Sequence, residues 1–285
     1  MTEPAGSGTL VATTVAIVGV GFMGGSLGRA LSGRVGTRLG VITGGDDLSD
    51  AVELGCVDEV GVATDMLPRA DLVVLCVPVR AAVDLLGQWH DYWKTDAVVT
   101  DIGSTKQQIV AAYELLPDHV DAVAGHPMCG AATPGRIHAD PEIFRDSVWV
   151  VSPTERTTAR SARMIEAMIA TVGARTLRLE AGQHDRIAAL TSHVPYAVGQ
   201  ALLHALASRA REDPTTAALA AGGFDSATRV ARGGDLAMWR DILLTNGREV
   251  VDALDLVTDE LNELRRLLSD EDGLTRWLAA GRSAR

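Results

Sequence analysis

Four short segments hold the residues best placed to do chemistry. The first, Gly19-Val20-Gly21-Phe22-Met23-Gly24, reads G-x-G-x-x-G between a strand-like and a helix-like stretch. In that setting the first glycine permits a tight turn, the second lets backbone approach a pyrophosphate, and the third lets helix and strand pack closely. The following helix offers its N-terminal N–H groups to the phosphates. The second segment, Thr100-Asp101-Ile102-Gly103-Ser104-Thr105-Lys106, closes another strand. Ser104 with Gln107 three residues on reads as a capping box, and the same hydroxyl would also face the nicotinamide of a bound dinucleotide. The third, Gly125-His126-Pro127-Met128-Cys129-Gly130, holds a histidine between Gly and Pro, expected in a rigid loop just after a strand. The fourth is His184-Asp185 followed by Thr191-Ser192-His193-Val194-Pro195-Tyr196. Pro195 inside a helical pattern removes a hydrogen bond, so a kink is expected there with the Thr191 carbonyl freed. His193 sits at that irregularity. His126 and His193 therefore read as functional, whereas His90, His119, His138 and His204 have no such context.

These segments must be positioned by regular elements. Residues 11–18, 39–43, 71–77, 97–101, 120–124, 148–151 and 176–179 read as strands. Leu72-Val73-Val74-Leu75-Cys76-Val77 is a continuous apolar run, which fits a parallel strand buried on both faces. Helical periodicity lies between the strands, as at residues 105–116 and 157–172. The expected fold is an α/β Rossmann-like nucleotide-binding domain over residues 1–180, its parallel sheet covered on both sides. No strand is expected after Glu180, so an all-α domain follows over residues 181–285. Residues 243–268 carry Val250, Val251, Leu254, Val257, Leu261, Leu264 and Leu268 as one helical stripe, which a second copy of the chain is expected to cover.

The second strand ends without an acid for the cofactor's ribose and without an arginine for a 2′-phosphate. Asp46 or Asp47 would either fold back to the ribose or cap a helix running to residue 54. NAD and NADP both stay open, with the missing basic residue leaning to NAD.

Composition narrows the class. The chain has 285 residues, with 26 Lys+Arg against 37 Asp+Glu and a net charge of −11. That balance disfavours nucleic acid and anionic membranes as partners. Cys56, Cys76 and Cys129 have no paired spacing, which points to a reducing compartment. The opening MTEPAGSGTL lacks a basic n-region, and no apolar run reaches membrane-spanning length. A cytoplasmic protein without a metal site is expected.

The chain resembles the prephenate dehydrogenase family, which includes arogenate and cyclohexadienyl dehydrogenases. The matching segments are GVGFMGGSLG at 19–28, DLVVLCVPV at 71–79, TDIGSTK at 100–106 and GHPMCG at 125–130, then HDRIAALTSHVPY at 184–196, ATRVA at 227–231 and MWRDI at 238–242. They follow the family's order across nearly the whole chain. The resemblance implies an oxidative decarboxylation, in which hydride leaves C4 of the substrate ring and CO₂ leaves C1. It implies that His126 accepts the C4 hydroxyl proton and that Ser104 hydrogen-bonds the same hydroxyl. Arg229 would hold a substrate carboxylate, His193 would line the pocket, and Tyr196 and Trp239 would shape it. NAD or NADP would lie against Gly19, Gly21, Phe22, Met23, Gly24, Thr43, Val77, Pro78 and Ser104.

Departures from the family pattern leave the substrate's side chain open. Many members carry Glu in the segment where this chain has Gly130-Ala131-Ala132-Thr133, a second histidine where it has Tyr196, and an acid where it has Ser226, beside Asp225. Arg232-Gly233-Gly234-Asp235 is also unusual. The alternatives are an arogenate dehydrogenase, a relative acting on an amino-substituted ring in secondary metabolism, and a non-catalytic dinucleotide-sensing module. A lysine-dependent β-hydroxyacid dehydrogenase is disfavoured because no Lys follows Glu180. The 17 residues after Leu268 are too few for a regulatory domain, so any tyrosine inhibition is expected at the active site.

Overall fold

The computed structural model describes residues 10–44, 47–130 and 135–283. In its first half, β1 (Thr14–Val18) leads to α1 (Phe22–Ala30), β2 (Thr37–Ile42), β3 (Glu59–Val62) and α2 (Ala63–Met66). Then come β4 (Leu72–Leu75), α3 (Val79–Gln88), β5 (Val98–Asp101), α4 (Gln107–Ala112) and β6 (Asp121–Pro127). β7 (Val148–Pro153), α5 (Ala159–Thr171) and β8 (Arg175–Arg178) complete it. The eight strands form one sheet in the order β3-β2-β1-β4-β5-β6-β7-β8.

Alternation along the strands builds two cores. Ala16 and Val18 join Leu39, Val73 and Val99 under Leu86 of α3 and Ile109 of α4. Val15 and Ile17 point the other way, to Leu72, Val74 and Val98 under Leu27 of α1 and Ile165 and Met168 of α5. With both faces covered, these strands have no polar side, which is why they read as unbroken apolar runs.

Two features depart from the expected sheet. β7 pairs antiparallel with β6. A parallel return needs a long crossover, usually a helix, and the described part of this connection holds only 3₁₀ turns at Arg136–His138 and Pro141–Phe144. β3 was not expected at all: Glu59-Val60-Gly61-Val62 is a short edge strand interrupted by glycine.

After β8 the described chain is helical: α6 (Ala181–Ala188), a π-helical turn (Ala189–His193), α7 (Val194–Glu212), α8 (Thr215–Ala218), α9 (Gly222–Arg232), α10 (Leu236–Thr245), α11 (Gly247–Leu267) and α12 (Glu271–Arg282). The expected kink before Pro195 takes the form of that π turn. The single stripe over 243–268 is corrected: the helix breaks at Asn246. Val250, Leu254 and Val257 pack with Ala189 and Val194, whereas Val251, Leu261 and Leu268 are exposed. No helix among the described residues is long and apolar enough to cross a membrane.

Candidate active site

The sheet order sets the site. The C-terminal ends of β2, β1, β4, β5 and β6 lie side by side, carrying in turn Thr43, the glycine loop, Val77-Pro78, Ser104 and His126. β1 and β4 flank the point where chain order reverses, the place where open α/β sheets take ligands.

The glycine loop fits a pyrophosphate. Gly19 has φ +88°, and a Cβ on Gly24 would lie 2.1 Å from the Gly19 carbonyl oxygen. Both are needed by the fold itself. Gly21 differs, because a Cβ there would meet nothing within 4 Å. Gly21 is also the N-cap of α1 and offers no side-chain cap, so the N–H groups of the first turn, which begins with Phe22 and Met23, are left for a ligand.

At the ribose end, Asp47 does not cap a helix: its carboxylate accepts from the Ser49 N–H at 2.9 Å in a turn. Asp46 lies outside the described residues, as do Ala131, Ala132 and Thr133. A basic residue does reach this end, from far along the chain. Arg136 donates to the Val20 carbonyl at 2.9 Å, to the Asp47 carbonyl at 2.7 Å and to Asp50 Oδ1 at 2.7 Å.

His126 is not in a loop but in β6, paired with Val150 of β7. Its Nδ1 lies 2.8 Å from His184 Nε2, and His184 Nδ1 lies 2.8 Å from Asp185 Oδ1. Asp185 is fully buried. Burial alone would raise its pKa, but His184 and two backbone N–H groups outweigh that and hold it below the usual value. An ionised Asp185 only accepts, so His184 carries its proton on Nδ1. With that proton on Nδ1, His184 Nε2 is the nitrogen that can accept in the 2.8 Å contact, so His126 donates from Nδ1 and keeps its lone pair on Nε2. Burial first, and with it the charge of nearby Lys106, put the His126 pKa well below its ordinary value.

Asp101 ties the two catalytic candidates together. Its carboxylate accepts from Gly103 N–H (2.8 Å), Gly125 N–H (3.1 Å), the Tyr113 hydroxyl (3.0 Å) and the Lys106 ammonium. Gly103 precedes Ser104 and Gly125 precedes His126, so one buried anion spaces both. Gly125 must be glycine, since a Cβ would lie 2.8 Å from Trp149 Nε1 and 2.9 Å from the Asp101 carbonyl oxygen. Ser104 does not cap α4. That role falls to Asp185, which accepts from the Lys106 and Gln107 N–H groups at 2.7 and 2.9 Å.

His193 is buried, and its Nδ1 lies 3.1 Å from Asn246 Nδ2. Tyr196 is buried and stacks on Trp239, with centroids 3.8 Å apart and planes at 11°. Gly234, at φ +84°, makes room for Trp239, whose Nε1 would be 2.7 Å from a Cβ there. Asp235 caps α10, and Asp225 pairs with Arg232 at 2.8 Å, which gives the unusual Arg232–Asp235 segment a structural role. Arg229 is exposed on α9 and forms no hydrogen bond or ion pair with the histidines among the described residues.

The structure thus joins His126 to His184 and Asp185, links the Ser104 and His126 segments through Asp101, and joins His193 to Asn246, while Arg229 has no hydrogen bond or ion pair to any of them. Sequence alone assigns no role to His184, Asp185, Lys106, Asp101 or Asn246. A signal existed for His184-Asp185, two proton-handling residues together near a helix start; for Asn246 there was none. Cys129, beside the histidine segment, is no ready nucleophile, since burial pushes its thiol pKa up.

Comparison with known proteins agrees with this architecture. Residues 33–178 match the family model of the prephenate dehydrogenase nucleotide-binding domain, and residues 180–280 match that of the prephenate dehydrogenase dimerization domain. A prephenate dehydrogenase of Bacillus subtilis is 28% identical over 264 residues, covering 91% of this chain and 71% of the relative. A crystal structure of prephenate dehydrogenase from A. aeolicus, in complex with hydroxyphenyl propionate and NAD+, superposes with a TM-score of 0.88 at 30% identity, covering 96% of this chain and 97% of that one. Synechocystis arogenate dehydrogenase superposes with a TM-score of 0.82 at 27% identity, covering 94% and 97%.

Proposed function

The chain belongs to the prephenate dehydrogenase family, and we propose that it oxidises and decarboxylates prephenate to 4-hydroxyphenylpyruvate with NAD. The nicotinamide, when bound, supplies the acceptor for the hydride leaving C4. His126 Nε2 takes the proton of the C4 hydroxyl as that carbon gains carbonyl character. The chain to His184 and Asp185 carries the reading: it fixes which nitrogen is bare and lets the arriving charge be shared towards a buried carboxylate. Ser104, freed from capping α4, hydrogen-bonds the same hydroxyl and orients it. Arg229 holds a ring or side-chain carboxylate with its planar fork. His193 lines the pocket, and the Tyr196–Trp239 stack forms a wall.

The glycine loop and the open first turn of α1 take the pyrophosphate, with Thr43, Val77 and Pro78 alongside. NAD is favoured over NADP because the guanidinium at the ribose end is neutralised by Asp50 and spent on two carbonyls. The domains divide at residues 1–180 and 181–285, between β8 and α6. The exposed Val251, Leu261 and Leu268 face a second copy in a cytoplasmic homodimer.

The second reading is an arogenate dehydrogenase, or one acting on an amino-substituted ring. Tyr196, buried and stacked where many members carry histidine, favours it. Cofactor reduction with prephenate and with arogenate, each against NAD+ and NADP+, decides. Fastest turnover with prephenate and NAD+ is expected. Faster arogenate oxidation would replace the first reading with the second, and no reduction with either ring would leave a dinucleotide-sensing module.

A further inference from the structure

We propose that Asn246 is a positioning residue that locks His193 in the tautomer opposite to that of His126, giving the pocket one acceptor ring and one donor ring. Asp185 offers two different acceptors. Its carboxylate receives His184 Nδ1, and its backbone carbonyl receives Asn246 Nδ2 at 2.8 Å. A carbonyl can only accept, so the amide nitrogen of Asn246, not its oxygen, must face it. That fixes the amide plane. The second hydrogen on the same nitrogen then points at His193 Nδ1, 3.1 Å away. His193 Nδ1 must therefore be the bare nitrogen, and the ring proton sits on Nε2.

The Asn246 oxygen is the unpaired end of this amide. Asn246 is 2% exposed, and its Oδ1 is buried with no hydrogen-bond partner among the described residues. A flip would set that oxygen 2.8 Å from the Asp185 carbonyl oxygen, two acceptors facing each other, and leave that carbonyl without its donor. Asn246 sits where α10 ends and α11 begins, a break that brings its side chain to the π turn carrying His193. His193 remains neutral near pH 7, since burial lowers its pKa to about 4. It thus presents an uncharged N–H donor, suited to a carboxylate or keto oxygen of the substrate. Asp185 sets both tautomers at once, one through each of its acceptors.

What His193 faces rests on the proposed function; its tautomer does not. Long-range ¹H–¹⁵N NMR of the whole chain with labelled histidine reads the tautomers without substrate, and the His193 signals are identified by their loss in His193→Gln. The expected spectrum has His193 protonated on Nε2 and His126 protonated on Nδ1. His193 protonated on Nδ1 overturns the proposal, whatever the enzyme's substrate. In Asn246→Ala the His193 ring is expected to lose its preference and the KM for the ring substrate to rise about tenfold, while the acid limb of the kcat/KM profile stays in place. An unchanged spectrum and KM would remove Asn246 from this role. If Asn246→Ala does not fold, the wild-type spectrum still decides.

Discussion

The Lys106 N–H donates to Asp185 Oδ1 at 2.7 Å, from the start of α4 to a side chain on α6. The neighbouring Gln107 N–H donates to Oδ2. A carboxylate from the helical half thereby satisfies the first turn of a helix in the sheet half, where an anion is favoured by the helix dipole. The same carboxylate anchors His184, and through it His126. Seating the helices on the sheet and setting the proposed base are one set of hydrogen bonds.

Asp185→Asn tests this coupling. An amide can donate to His184 Nδ1, which would push the proton to His184 Nε2, make His126 Nδ1 the acceptor and put a proton on His126 Nε2. The proposed base would then be blocked in its neutral form. Steady-state kinetics should show kcat lower by roughly 10²–10⁴-fold with little change in KM. A kcat within about threefold of wild type would mean that His126 does not depend on the chain.

Much of this was legible in the sequence because it is local. The G-x-G-x-x-G turn, the doubly buried strands and the irregularity before Pro195 each follow from a few neighbouring residues. What escaped is long-range. Gln107 follows Ser104 at capping-box spacing, yet the cap comes from Asp185, 78 residues after Gln107. Arg136 lies 116 residues from Val20 and still fills the ribose end. Asn246 lies in the polar run Thr245-Asn246-Gly247-Arg248-Glu249, and only the break between α10 and α11 gives it meaning.

The pH dependence follows from the two lowered histidines. His126 acts deprotonated, and its folded pKa lies well below the ordinary 6.5. The plateau of kcat/KM should therefore extend below pH 6.5 before it falls. Stability moves the same way. As pH drops below 6.5, the unfolded chain takes up protons on His126 and His193 that the folded chain resists. For His193 the loss should run from about pH 6.5 down to about 4, read as a falling urea midpoint. A kcat/KM limb centred at or above 6.5 would count against the buried, neutral base.

Lys106 and Asp101 form an ion pair that is 0% and 2% exposed. Lys106→Met leaves Asp101 buried and held, among the described residues, only by Gly103, Gly125 and Tyr113. A loss of roughly 3–5 kcal/mol in urea unfolding is expected, as for other buried pairs broken on one side. The substitution also removes one of the charges depressing the His126 pKa, so the acid limb of kcat/KM should move up in pH. Stability loss without that move would show Lys106 to be structural alone.

Arg229 is exposed and has no partner in any hydrogen bond or ion pair among the described residues. Its replacement should therefore cost the fold little. Arg229→Lys keeps the charge but loses the fork that grips two carboxylate oxygens. KM for the ring substrate should rise about tenfold with a smaller change in kcat. Unchanged kinetics would mean that another group holds the carboxylate.

Gly21 separates what the fold needs from what the cofactor needs. At Gly24 an added methyl collides with the Gly19 carbonyl at 2.1 Å, so a defect in Gly24→Ala would say little about ligand binding. At Gly21 the same methyl meets nothing within 4 Å, and φ is −86°, which alanine adopts without strain. Gly21→Ala should fold and unfold like wild type. The methyl would nonetheless stand where backbone must approach the pyrophosphate. Titration of the dinucleotide by protein fluorescence or calorimetry should then show Kd raised by about tenfold or more. Wild-type affinity in a normally folded Gly21→Ala chain would place the pyrophosphate elsewhere and remove the glycine loop from the site.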